Sequence, residues 1–175
     1  GYDAQAAVMH NDDVVIVCFR GSESPTGFDG FRDWFGTNLT FQLRDAPRSW
    51  GRGVRIHRGF QVTLQALYQE IRRHIQPLAG SRRVYLTGHS TGGALATLCG
   101  YRLQRVGGVD VDAVYSFGAP RIGNNGFAQS FAQVLGNRTY RWVNRFDLGA
   151  QVPDFSAPPT PTAGLVPIEP YVHVG

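Results

Sequence analysis

Gly88-His89-Ser90-Thr91-Gly92 constrains this chain more than any other stretch, because of what flanks it. Before it runs Val84-Tyr85-Leu86-Thr87, an apolar β-branched segment that predicts a buried strand. After it, Thr91 to Val106 predicts a helix that stops at Gly107-Gly108. A G-x-S-x-G pattern is common by itself. Between a strand and a helix it predicts a turn so sharp that the central Ser takes a strained backbone and stands clear of the sheet. Side chains two residues to either side would collide there, so Gly88 and Gly92 are expected on steric grounds. Ser90 is therefore the candidate nucleophile. The Thr91 N–H, at the positive end of a helix, is a candidate oxyanion donor. His89 adjoins Ser90, but neighbours on such a turn point apart, so it is read as structural.

The rest of the chain alternates in the same way. Val14 to Phe19 is an apolar β-branched run and predicts a buried strand. Leu39 to Leu43 and Val54 to His57 alternate as short strands. Phe60, Leu64, Leu67, Ile71, Ile75 and Leu78 recur at steps of three and four, which predicts an amphipathic helix ended by Pro77 and Gly80. A strand over Val111–Phe117, a helix over Asn124–Leu135, a strand over Tyr140–Val143 and a short last strand at Tyr171–Val174 follow. Strands alternating with helices predict an α/β fold, a mostly parallel sheet with helices on both faces, whose site lies beyond the carboxyl ends of the strands. With 175 residues, the chain is expected to be one domain.

Composition removes several function classes. The net charge is +4 and every basic residue is Arg, yet the 17 Arg are scattered, adjacent only at Arg72-Arg73 and Arg82-Arg83. That is not the footprint of a nucleic-acid binder, although a weak attraction to anionic lipid surfaces is compatible with it. No apolar run approaches the ~18 residues of a membrane span. Residues 1–13 lack the basic start and apolar core of a signal peptide. Cys18 and Cys99 sit in apolar runs, form no metal or disulfide pattern, and are expected to be buried thiols. The compartment stays open between secreted and cytoplasmic. No metal or organic cofactor is implied.

A Ser nucleophile needs a base oriented by a carboxylate, in the chain order Ser, acid, His for this fold class. Asp110 and Asp112 precede a strand and fall at the wrong end of the sheet. Asp147 follows the Tyr140 strand at the right end, with Asp154 as the alternative. The only His after Asp147 is His173, so order alone makes it the base.

Several segments together resemble the class 3, or fungal-type, lipase family. Thr87-Gly88-His89-Ser90-Thr91-Gly92-Gly93-Ala94-Leu95-Ala96 is similar to that family's nucleophile turn. Phe19-Arg20-Gly21-Ser22, followed by Asp33-Trp34, resembles its oxyanion loop. Ile56-His57-Arg58-Gly59-Phe60 and Phe117-Gly118-Ala119-Pro120-Arg121-Ile122-Gly123-Asn124 resemble two further segments, and Val143-Asn144-Arg145-Phe146-Asp147 resembles the one carrying its acid. They occur in the family's order across residues 14–175. The sequence departs from the pattern at Thr91, where the family usually has a bulky apolar residue, and at Leu148-Gly149-Ala150, where it tends to Pro-Val-Pro.

The resemblance implies an α/β-hydrolase that cleaves carboxylic esters of lipids through an acyl-serine, at a lipid–water interface. It implies that Ser22 is the second oxyanion donor, that Asp147 is the acid, and that Phe28, Phe31, Trp34 and Phe35 lie where a lid begins. His57 would brace the loop over the site. It also places His173 in a strand that precedes the family's catalytic His. On that reading the chain is a core cut at both ends from a longer enzyme.

Overall fold

The structure, a computed structural model, describes residues 4–21, 42–143 and 171–174. Val14–Phe19 forms β2, and its fully covered side chains Val15 and Val17 alternate with half-buried ones. Ahead of it, Ala6–His10 forms β1, an antiparallel partner that the sequence reading did not include. The cue was the turn: Asn11 Oδ1 accepts from the Asp13 and Val14 N–H groups, as Asn does in tight turns.

Arg83–His89 is β5, Ala113–Phe117 is β6 and Thr139–Trp142 is β8. The main sheet has the order β1-β2-β5-β6-β8, parallel except for β1. A second, antiparallel sheet joins β3 (Leu43–Asp45), β4 (Arg55–His57), β7 (Gly123–Asn124) and β9 (Tyr171–Val172). The strand expected over Val54–His57 is thus real; of the one expected over Leu39–Leu43, residues 39–41 lie outside the described residues and Leu43 opens β3.

Three described helices follow the predicted order. Helix α1 spans Arg58–Ala79 and buries Phe60, Leu64, Tyr68, Ile71 and Ile75 along one stripe. Pro77 does not end it. The helix carries Pro77 in its last turn and closes at Gly80. A proline ring already holds a φ suited to a helix, so this late in the helix its cost is confined to one missing N–H and crowding of the preceding turn. Helix α2, Thr91–Arg102, is buried on all sides from Thr91 to Tyr101 and runs into a π-helical turn at Leu103–Gly107. Gly108 ends that turn in the left-handed region at φ 71°. Helix α3, Asn125–Leu135, is capped by Asn124, whose Oδ1 accepts from Phe127 N–H at 2.9 Å.

The described helices gather on one face of the main sheet. Helix α2 packs on β2, β5 and β6, α1 packs on α2, β1 and β2, and α3 packs on α2. Their shared core includes Val17, Leu86, Leu98, Tyr101, Val114, Phe127 and Phe131. Tyr101 anchors it: its ring meets Trp50 edge-on, while its hydroxyl reaches Trp50 O and Ser130 Oγ, so the buried polar tip is satisfied. On the opposite face Tyr85, Tyr115 and Tyr140 form a ladder beside Cys18, with Phe117 and Trp142 exposed. Cys18 is therefore half-buried rather than buried, because it lies on the face without described helices. Cys99 is fully buried, and burial raises its thiol pKa, leaving it an inert packing group.

Candidate active site

Strand β5 ends at His89, α2 starts at Thr91, and Ser90 makes the whole turn between them at φ 55°, ψ −128°. It has the only positive φ outside glycine among the described residues. Three backbone bonds hold this strained geometry. Ser90 N–H donates to Phe117 O at 2.8 Å, and Ser90 O accepts from Gly93 N–H at 3.0 Å and Ala94 N–H at 3.3 Å. Such a conformation costs about 1–3 kcal/mol and persists where the surroundings enforce it.

The glycines are explained by what a side chain would strike. A Cβ on Gly88 would lie 2.4 Å from the Gly92 carbonyl, the clash across the turn that the pattern predicts. A Cβ on Gly92 would lie 2.4 Å from Phe19 O and 2.9 Å from Arg20 C, which belong to the end of β2. A Cβ on Gly21 would lie 2.8 Å from His89 O and 3.6 Å from Ser90 Cβ. The end of β2 is thus pressed against the Ser90 turn, with Gly21 packed directly on it. Sequence reasoning passed over Gly21, although it sits inside the Phe19-Arg20-Gly21-Ser22 segment.

Ser90 is half-buried, and Thr91 is buried at the first position of α2. His89 is exposed on the other face of the sheet, as expected for a neighbour that points away. Ser22, Asp147, Asp154 and the Phe28–Phe35 aromatics lie outside the described residues. Asp110 and Asp112 do sit at the amino ends of the strands. Asp112 Oδ2 accepts from Val84 N–H at 2.7 Å and Asp110 pairs with Arg138 at 3.2 Å, beside a polar cleft that also involves Asp13, Arg82 and Arg83.

The five histidines do different work. His10 lies exposed on the edge strand β1, and His74 is exposed on α1 beside Glu70. His57 is wholly buried, and its Nδ1 accepts from Gly59 N–H at 3.0 Å and Phe60 N–H at 3.4 Å, capping α1. Its backbone N–H donates to Ile122 O, tying α1 to the loop after β6. Burial pushes its pKa down to about 4, so the ring is neutral at neutral pH. His173 follows β9, with Nε2 3.2 Å from Arg141 Nη2 on β8. A guanidinium only donates, so Nε2 accepts here.

A neutral cap has a consequence for stability. The unfolded His57 binds a proton near pH 6.5, whereas the folded one resists until about pH 4. Its contribution is complete above pH 6.5 and is lost as pH falls from there through 4, by roughly 3 kcal/mol. Urea midpoints are expected to fall across that window. His57→Asn keeps a cap acceptor that does not titrate, and should flatten the decline; an equal slope in both proteins would refute the assignment.

A Ser on a sharp strand-to-helix turn at the carboxyl edge of a mostly parallel sheet is the arrangement of the α/β-hydrolase class. Within it, the family model for class 3 lipases matches residues 16–157, and the chain belongs to that family. Relatives include the toxin TseL of Vibrio cholerae, 33% identical over 131 residues, and the lipase of Rhizomucor miehei, 31% identical over 160. Those alignments cover 75% and 87% of this chain but only 20% and 41% of the relatives. Among solved structures, the lipase of Rhizopus microsporus var. chinensis superposes with a TM-score of 0.74 at 28% identity, over 86% of this chain and 52% of that one. Lipase II of Rhizopus niveus gives 0.76 at 26% identity, over 88% and 57%. The chain thus spans less than half the length of these curated relatives and little more than half of these solved lipases.

Proposed function

We propose that residues 1–175 form one catalytic unit of a carboxylic-ester hydrolase acting on acylglycerols or similar lipid esters, with Ser90 as the nucleophile. The observation that carries this reading is the enforced positive φ of Ser90, which is costly and sets that residue at the sharp turn between strand and helix. Ser90 Oγ attacks the ester carbonyl as a His takes its proton. The oxyanion that forms is held by the N–H groups of Thr91 and Ser22, the alcohol leaves with the proton, and water releases the acyl group by the same route. Gly21 supports the role of Ser22, because the chain reaches that residue directly from the wall of the Ser90 turn. Asp147 orients the His; the chain leaves β8 at Val143, four residues before it, on the carboxyl side of the sheet.

The Arg141 contact on His173 Nε2 speaks against His173 as that His, since a base needs a free lone pair. Lipid substrates would be met at an interface. No helix of the described residues is long and apolar enough to cross a membrane.

The test is a fluorophosphonate probe together with a short-chain chromogenic ester. Labelling at Ser90 with turnover is expected. Asp147→Asn should lower turnover by about 10⁴-fold, the loss seen when a triad acid becomes an amide. His173→Ala decides the base: unchanged turnover would leave His173 to Arg141, and lost turnover would make it that His. Absence of both labelling and turnover would sink the hydrolase reading and leave a hydrolase-like core that binds without reacting.

A further inference from the structure

The charge of this chain is less scattered than its list of arginines suggests. Residues 44–58 hold five Arg and one acid, Asp45. The other residues hold 12 Arg and 12 acids, so the whole net charge of +4 comes from this one stretch. It runs from β3 through a 3-10 turn at Arg48–Trp50 to β4 and the start of α1. Arg44, Arg48, Arg52 and Arg58 are exposed, and none makes an ion pair among the described residues. Arg55 meets Asp45 at 3.5 Å, but that carboxylate is 88% exposed and screens little. Arg105, brought in from the turn after α2, donates to Ser49 O at 3.3 Å and adds a further exposed cation to this stretch, next to Arg48 in the chain's 3-10 turn.

The scaffold beneath these cations is firm. Trp50 is buried, and its carbonyl accepts from both Tyr101 and Ser130 hydroxyls. Gly53 O accepts from Asn124 Nδ2 at 2.9 Å, and Ala46 N–H donates to Val54 O. The guanidinium groups are thus displayed from a fixed backbone. At the Arg58 end the stretch adjoins the carboxyl edge of the sheet, through His57 N–H on Ile122 O in the loop after β6.

We propose that the Arg44–Arg58 stretch, together with Arg105, is an electrostatic docking surface for anionic lipid headgroups. Arginine suits this role because its planar fork pairs with phosphate oxygens through two parallel hydrogen bonds. The surface is adsorptive, not inserting, since its one aromatic residue, Trp50, faces the core. The same fact speaks against single-stranded nucleic acid, whose binders present aromatics for stacking. The choice of lipid as the partner rests on the lipid-ester reading of Ser90.

The experiment separates docking from turnover. The full chain carrying Ser90→Ala is co-sedimented with vesicles of phosphatidylcholine alone, and of phosphatidylcholine and phosphatidylglycerol in equal parts, at low and high salt. Binding to the mixed vesicles is expected, weakened by salt and at least about ten-fold weaker with Arg48→Gln, Arg52→Gln and Arg105→Gln combined. The combination Arg73→Gln, Arg82→Gln and Arg83→Gln removes equal charge elsewhere and should keep it. Equal binding to both vesicles, equal loss in both triple variants, or tighter binding to DNA than to the mixed vesicles would overturn the proposal. In the Ser90 background the first triple should hydrolyse a soluble ester normally. A chain that docks but does not hydrolyse would refute the hydrolase reading alone.

Discussion

Ser90→Ala is expected to reduce kcat on a soluble ester by about a million-fold, by analogy with serine hydrolases stripped of their nucleophile. The substitution removes Oγ and leaves the backbone of the turn in place, so KM should change little. Fluorophosphonate labelling should vanish with it. A second substitution separates chemistry from folding. Ser90→Gly also removes the hydroxyl, but glycine adopts φ 55° without penalty. The glycine variant should therefore be inactive yet more stable than the parent, by about 1 kcal/mol in urea denaturation. Stability equal to or below the parent's would mean that the turn is not strained and would remove the main support for a nucleophilic role. Turnover that survived Ser90→Ala would move the chemistry elsewhere.

Gly92→Ala is expected to cost more than about 3 kcal/mol, at the upper end of overpacking effects. The added methyl would lie 2.4 Å from Phe19 O, with Arg20 C and O at 2.9 and 3.0 Å. All three are backbone atoms, so no side chain can swing aside. Relief requires α2 to lift from the end of β2, and that movement would carry Ser90 with it. Gly80→Ala is the control: a Cβ there meets nothing within 4 Å, and its φ of −69° suits any residue. The control should change stability by less than about 0.5 kcal/mol. Similar losses in the two variants would show that the contact with β2 is not what requires glycine at position 92.

Much of this molecule was legible because its signals are local. The Val14–Phe19 run, the stripe from Phe60 to Ile75 and the boundary at Gly107-Gly108 depend on the period of strand or helix, and each element forms close to where that period places it. The Ser90 turn was legible for a related reason. The clash between Gly88 and Gly92 is a matter of four residues of backbone geometry. The short strands were harder. Strands at Val54–His57 and Tyr171–Val174 were expected and form as β4 and β9, but two-residue β7 is too brief to show an alternation and exists because its partners lie alongside. Strand β1 was missed because Ala6-Ala7-Val8-Met9-His10 is weakly apolar; its pairing with β2 makes it a strand.

Sequence alone determined the parallel α/β core, the sharp turn at Ser90, and the place of Asp110 and Asp112 at the amino ends of the strands, because each follows from chain order and local sterics. Only tertiary structure decided what presses on those parts. It set Phe19 O against Gly92 and Gly21 against Ser90. It made His57 a neutral cap by enclosing it, and brought Arg141 Nη2 to 3.2 Å from His173 Nε2. It also brought Arg105 to Ser49 in the 3-10 turn, and left Cys18 on the face without described helices. The physical reason is the same throughout: a close contact, a lost hydration shell or a shared patch of charge is a relation between residues distant in the chain, and no period or motif records that distance in space.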